Sequence, residues 1–352
     1  MSDLFNSLRI GAITIPNRVV MAPMTRNRAN ADGVANELMA RYYQQRASFG
    51  LIISEGTQPE SVGQGYPNTP GVHSDAQEAG WKEIASAVHD SGGHLFVQLM
   101  HAGRISHPEV TGEIPIAPSA IPAEGKIFTG NGMQPFPVPR EMTSADLLST
   151  KAAFVDAAVR AVRAGCDGVE IHGANGYLLH QFLSDNTNNR SDNYGGSPKN
   201  RVRYVVEVTK AVCEAIGADR VGIRISPNGN FNDIHETEIE ETYLELLDQI
   251  STLGLAYLHM CAQPGFDGLP WARRNWNGTL IANTGYADND KIGSARELIS
   301  SGGADAVSFA RLAISNPDLP QRIKSGLPLA QPDSKTFYSG GEQGYIDYPS
   351  AS

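Results

Sequence analysis

Several absences narrow this sequence at once. It has no uninterrupted apolar run of the ~18 residues that a membrane-spanning helix needs. Its start lacks the charged segment, apolar core and small-residue cleavage site of a secretory leader, so a soluble, unsecreted protein is expected. Cysteine is scarce: Cys166, Cys213 and Cys261 are scattered, with neither a disulfide framework nor zinc spacing, which fits a reducing cytoplasm. Positive charge is outnumbered, 28 Lys and Arg against 38 Asp and Glu, for a net charge of −10. That balance argues against a broad nucleic-acid or anionic-membrane surface, leaves any phosphate to a few local cations, and makes a small molecule the expected partner.

What is present is ordinary globular material: 352 residues, 41% hydrophobic and 19% charged, enough for one large barrel or two domains. Residues 7–15 alternate like a small hairpin about Gly11, and Arg18–Met24 reads as a first strand. One junction then recurs, a helical pattern ending at glycine and followed at once by a short apolar strand: SFG–LIISE, SGG–HLFVQL, RAG–CDGVEIH, AIG–ADRVGIRIS, LGL–AYLHM and SGG–ADAVSFA. Glycine past a helix end adopts the left-handed conformation cheaply, and a β-branched run can be buried on both faces. With Arg18–Met24 and Thr279–Asn283 the count reaches eight strands alternating with helices, which predicts a single (β/α)8 TIM barrel spanning residues 1–352. Helices are expected near 36–49, 75–91, 144–164, 176–184, 200–216, 238–253, 289–301 and 317–324, the third opened by a capping-box-like Thr143 and Asp146. Two long loops, residues 101–142 after strand three and 262–278 after strand six, suggest lids or binding loops.

Chemistry in a TIM barrel gathers at the C-terminal strand ends. Here these carry Thr25, Glu55 with Gly56, Gln98 with His101, His172, Arg224 with Ser226, Cys261, Asn283 with Gly285, and Arg311. A strand-end lysine is missing, which disfavours a Schiff-base aldolase; His-X-His is missing from strand one, which disfavours a metal hydrolase. Thr25, Gln98 and Arg224 supply a hydroxyl, an amide and a cation, suited to the edge of a polar heteroaromatic ring. Gly285 and Arg311 occupy the usual phosphate position of the fold. After strand four, His172, Asn175 and Tyr177 arrive within six residues, a kit for gripping an oxygen and giving up a proton nearby. Singly, each has an ordinary reading: a barrel histidine, a turn asparagine, a packed aromatic, an internal ion-pair arginine.

The segments RVVMAPMTRNRA, SEGT, FVQLMHAGR, DGVEIHGANGYLLHQFLSDNTNNRSDNYGGS, GIRISP, FAR and FYSGGEQGYIDYP, in that order, cover nearly the whole chain. The set resembles the Old Yellow Enzyme family of flavin-dependent ene-reductases. The resemblance implies non-covalent FMN, with NADPH or NADH as reductant. Pro23, Met24 and Thr25 would lie beside the flavin, Gly56 and Gln98 at its pyrimidine side and Arg224 near N1 and O2. Gly285, Ala310 and Arg311 would hold the phosphate, and Phe337 and Tyr338 would pack on the far edge. Tyr66, Met100, Phe231 and Trp271 are substrate-side candidates beside His172 and Asn175. Two positions depart from the common pattern: Ala310 stands where relatives have glycine, and Met100 where some have tryptophan. The implied reaction reduces the C=C bond of an α,β-unsaturated carbonyl or nitro compound, Tyr177 supplying the proton. Nitrate-ester or nitroaromatic reduction is the redox alternative, a phosphate-ligand-binding or hydrolytic barrel the non-redox one. A monomer or homodimer is expected.

Overall fold

The computed structural model describes residues 3–285 and 288–351. Eight parallel strands close into a barrel: β1 (Val19–Met21), β2 (Leu51–Ile53), β3 (Leu95–Leu99), β4 (Gly168–Gly173), β5 (Val221–Ile225), β6 (Tyr257–Cys261), β7 (Leu280–Asn283) and β8 (Ala306–Phe309). Neighbours follow chain order, and β8 returns to β1 with Val307 opposite Val19, leaving no free edge. The strands are buried on both faces because helices cover one side and barrel-filling side chains the other.

The hairpin Leu8–Ile10/Ile13–Ile15 decides which end of the barrel does chemistry. Its Ile10 and Ile15 pack with Val20, Leu51, Phe96, Tyr257 and Ile281, plugging the N-terminal end with hydrocarbon. A Cβ on Gly11 would stand 1.9 Å from the Asp219 carbonyl oxygen, so only glycine lets the turn press this closely. At the start of helix Ser144–Arg163 the Thr143 hydroxyl accepts from the Asp146 N–H (3.2 Å) and the Asp146 carboxylate accepts from the Thr143 N–H (2.7 Å), the expected capping box.

Four expectations change. The first strand stops at Met21, so Pro23, Met24 and Thr25 lie on an irregular segment beyond it. The helix expected from residue 176 begins at Leu178, because Asn175 (φ 57°) and Gly176 (φ 77°) take left-handed backbone. Residues 262–278 are not an open loop, since Gly268–Asn275 is helical; Pro270 sits in its first turn, where a missing N–H costs nothing. That helix takes Trp271 into the main core, 3% exposed and 5.5 Å ring to ring from Phe266, where it packs under the helix instead of standing on a loop. Ahead of the helix expected at 317–324, which is found as Leu319–Ser325, stands a further short helix, Arg311–Ser315. The excursion 101–142 carries a short helix, Pro108–Thr111, and a hairpin, Lys126–Phe128 with Met133–Pro135.

Candidate active site at the C-terminal mouth of the barrel

The end of β4 delivers His172 and then turns sharply. Bonds from neighbouring segments hold that turn. The Asn175 N–H donates to Ser226 Oγ (2.9 Å) and its carbonyl accepts from Asn232 Nδ2 (2.8 Å); the Gly176 N–H donates to His180 Nδ1 (3.0 Å) and its carbonyl accepts from Gln181 Nε2 (2.8 Å). These bonds use the Asn175 backbone, so its side-chain amide is not needed to hold the loop. A Cβ at Gly176 would come within 2.6 Å of the Phe231 carbonyl oxygen, which makes glycine obligatory where the β4 and β5 loops touch.

His172 is 4% exposed and its Nδ1 has no partner among the described residues. Burial, followed by the positive field of Arg224, drives its pKa well below that of free imidazole, so it is neutral at pH 7. The Tyr177 ring lies 5.2 Å from the His172 ring, and its hydroxyl is 3.2 Å from that of Tyr66. Burial pushes the Tyr177 phenol well above its ordinary pKa, with a smaller opposing pull from an Asn232 hydrogen bond, so it keeps its proton throughout the neutral range. Tyr177, Met100, Ala102, Ile105 and Ala123 form a small separate apolar cluster, with Tyr66 and Phe136 against it.

Gln98 and Arg224 come from β3 and β5, on either side of β4. Arg224 is opposite His172 on one side and His259 on the other, and its Nε has no protein partner among the described residues. Gly56 faces Met100: an added Cβ would lie 2.5 Å from its Sδ, so the thioether fills the space beside the β2 end. Pro23, Met24 and Thr25 are half-buried, while the next residue, Arg26, donates its N–H to the buried Glu55 (3.1 Å).

Beyond β7, Gly285 (φ 76°) approaches so closely that a Cβ would be 2.4 Å from the Ala262 carbonyl oxygen. Its N–H is engaged by Asn283 Oδ1 (3.2 Å), so Gly285 provides the turn and the close approach and not a free donor. Ala310 has φ −95°, outside the left-handed region that favours glycine. Arg311 opens the helix Arg311–Ser315, and Lys291 joins it: its ammonium donates to the Gly285 carbonyl (2.5 Å), and burial together with Arg311 lowers its pKa. The C-terminal segment is strapped on by arginines. Arg26 donates to the Phe337 (3.0 Å) and Gly344 (2.8 Å) carbonyls, and Arg28 to those of Phe337 (2.9 Å), Thr336 (2.8 Å) and Ser339 (2.6 Å). Tyr338, 64% exposed, and Phe231, 54% exposed, stand out from the surface.

Sequence reasoning missed Asn232, Lys291, and the buried set Glu170, His259 and Ser308. Glu170 left a signal, a carboxylate in the middle of the apolar run GVEI, where a charge is rare unless paired. A planar, polar heteroaromatic group carrying a phosphate fits this mouth: the unpartnered His172 Nδ1 and Arg224 Nε face no protein donor or acceptor, and two cations cluster at Gly285.

The comparisons place the chain in a family. Residues 3–330 match the family model described as NADH:flavin oxidoreductase / NADH oxidase family. A flavin oxidoreductase of Emericella nidulans, hxnT, is 42% identical, covering 100% of this chain and 98% of the relative. A probable flavin mononucleotide-dependent alkene reductase of Leishmania infantum is 40% identical over 98% of this chain and 97% of its own length. Among solved structures, the old yellow enzyme homologue from Zymomonas mobilis superimposes with a TM-score of 0.94 at 41% identity, covering 99% of both chains. Morphinone reductase in complex with tetrahydroNAD gives 0.94 at 43% identity, covering 100% of this chain and 98% of that one. Among the described residues no helix is long and apolar enough to cross a membrane. With its closed barrel, polar mouth and these relatives, the chain belongs to the NADH:flavin oxidoreductase / NADH oxidase family, the family of Old Yellow Enzyme.

Proposed function

We propose that this protein uses FMN and NAD(P)H to reduce the double bond of a small activated alkene, an α,β-unsaturated carbonyl or nitro compound. Bound FMN supplies the hydride chemistry. The observation that carries the reading is the pairing of a neutral, unpartnered His172 with a protonated Tyr177 5.2 Å away in one buried pocket.

His172 and the Asn175 amide grip the carbonyl or nitro oxygen, where negative charge grows as the β carbon gains hydride. A donor aimed at developing charge is worth ~3 kcal/mol. Tyr177 protonates the α carbon. Tyr66, at 3.2 Å, fixes the direction of the Tyr177 hydroxyl, and Asn232 holds the loop from its other side. Gln98, Thr25 and Arg224 would hold the polar ring, Arg224 offering positive charge to it, and Arg311 with Lys291 would supply the cations for the phosphate. Phe337 and Tyr338, presented by the arginine strap, cover the outer edge; Phe231 and Met100 shape the substrate side.

Stopped-flow kinetics of Tyr177→Phe test the acid assignment. Flavin reduction by NADPH is expected to stay near wild type while alkene reduction falls ~10²–10⁴-fold. Equal losses in the two half-reactions would sink it, and undiminished reduction of nitroaromatics alone would mark those as substrates that need no proton from Tyr177.

A further inference from the structure

We propose that Glu170 is a buried counter-anion that fixes the orientation of Gln98 and holds down the reduction potential of the bound flavin; this rests on the reading above that places FMN against Gln98 and Arg224. TIM-barrel interiors are filled in layers contributed by alternate strands, usually with branched apolar side chains. Here one layer is polar. Glu170, His259 and Ser308 come from β4, β6 and β8, while Gln98, Arg224 and Asn283 come from the intervening β3, β5 and β7. Glu170 and His259 are 0% exposed, and a charge so placed persists only if its partners are arranged for it.

The donors and acceptors can be assigned in one direction from the carboxylate outward. An ionised carboxylate only accepts. Its Oε1 therefore accepts from the Gln98 amide nitrogen (2.8 Å) and its Oε2 from His259 Nδ1 (2.8 Å). Burial lowers the His259 pKa, so its ring is neutral and Nε2 accepts from the Ser308 hydroxyl (2.8 Å). Ser308 Oγ accepts in turn from Asn283 Nδ2 (2.9 Å), and Asn283 Oδ1 from the Gly285 N–H. Burial alone would protonate Glu170, but His259, Arg224 and Gln98 outweigh it and hold the carboxyl below its ordinary pKa.

Two consequences follow for the mouth. One N–H bond to Glu170 fixes which way the amide faces, so Gln98 turns its carbonyl oxygen to the ring and can accept from an N–H, as an imide edge presents. Arg224, flanked by Glu170's field, meets the pyrimidine side with its charge partly cancelled, so it stabilises an anionic reduced ring less than an isolated guanidinium would. Glu170, with both carboxylate oxygens bonded to protein side chains, acts through Gln98 and Arg224 and is a positioning and tuning residue.

The test is the midpoint potential of the holoenzyme, measured by equilibration with a reference dye. Glu170→Gln keeps the shape and removes the charge; the ratio of affinities for reduced over oxidised FMN is expected to rise about tenfold, which for a two-electron couple is ~30 mV upward. Ser308→Ala breaks the same chain without removing charge and is expected to leave the potential at the wild-type value. Should Glu170→Gln yield no folded holoenzyme, Glu170→Leu combined with His259→Leu removes the carboxylate together with its imidazole partner and is expected to raise the potential likewise. An unchanged potential on loss of the carboxylate, or an equal shift in Ser308→Ala, overturns the proposal. Arg224→Met separates the two readings: a fall in potential supports the FMN placement even if Glu170 fails, and no change there removes both.

Discussion

At the scale of single residues, burial sets the chemistry at this mouth. Lone tyrosines and histidines in water titrate near pKa ~10 and ~6.5, but His172 is pushed well below and Tyr177 well above those values, chiefly by desolvation. Both shifts favour the neutral form. His172 gains its proton only as pH falls well under ~6.5, and Tyr177 loses its own only above ~10. Alkene reduction is therefore expected to show no break between about pH 6.5 and 9 from either group. A break near pH 6.5 that disappears in His172→Asn would contradict the neutral assignment. The same desolvation has a linkage cost with a definite sign: the unfolded chain binds a proton at His172 more readily than the native one, so His172 makes stability fall as pH drops through ~6.5.

Elements position these residues by clamping loops to one another. The stretch from Ser184 to Asn200, whose sequence announces only polar connection, turns out to be a fastening. Asn186 donates to the Asp233 carbonyl (2.9 Å) and accepts from the His235 N–H (3.1 Å), and Asp185 accepts from the Thr237 N–H (3.0 Å), fixing the β5 loop that carries Asn232. Arg190 reaches the carbonyls of Pro118 (2.9 Å) and Met142 (2.8 Å), fixing the long excursion after β3. Within the β5 loop Asn228, Asn232 and Asp233 all hold positive φ (62°, 58° and 60°), backbone that needs such restraint. The C-terminal segment is held by another such fastening. Arg28 is 5% exposed and donates to the Thr336, Phe337 and Ser339 carbonyls there, so Arg28→Met removes those bonds and leaves Phe337 to Arg26 alone, at ~1 kcal/mol for each bond lost. Hydrogen exchange should then accelerate in residues 336–345 while β1–β8 keep their protection. Unaltered exchange in that segment would mean that Arg26 alone suffices.

For the whole molecule, the barrel is asymmetric along its axis: hydrocarbon from the hairpin seals one end, and a charged polar layer lies under the other. Binding a planar anionic cofactor there joins side chains from several strands and from the C-terminal strap. Removal of FMN is therefore expected to lower Tm, and restoring it at ~100-fold over Kd returns ~2.7 kcal/mol, several degrees for a protein of this size. Thermal unfolding of apoprotein across an FMN titration measures this; a Tm indifferent to FMN would remove the cofactor from the mouth. The net charge of −10 confines such anion binding to local cations, which the structure gathers in Lys291 and Arg311.

By itself the sequence determined the periodic facts. Glycine-ended helices followed by β-branched runs dictate eight buried parallel strands, and the strand ends name His172, Gln98, Arg224 and Gly285, because local propensity and burial pattern act over a few residues. Only the tertiary structure decided what depends on strands distant in the chain meeting across the barrel. It took Trp271 into the core, since its helix packs an apolar face that a proline had disguised. It paired Tyr66 with Tyr177, 111 residues apart, and Glu170 with His259, 89 apart. Such contacts leave no local pattern: the free energy that selects them comes from closing the barrel and desolvating its interior, where a carboxylate is tolerated only once all its partners have arrived.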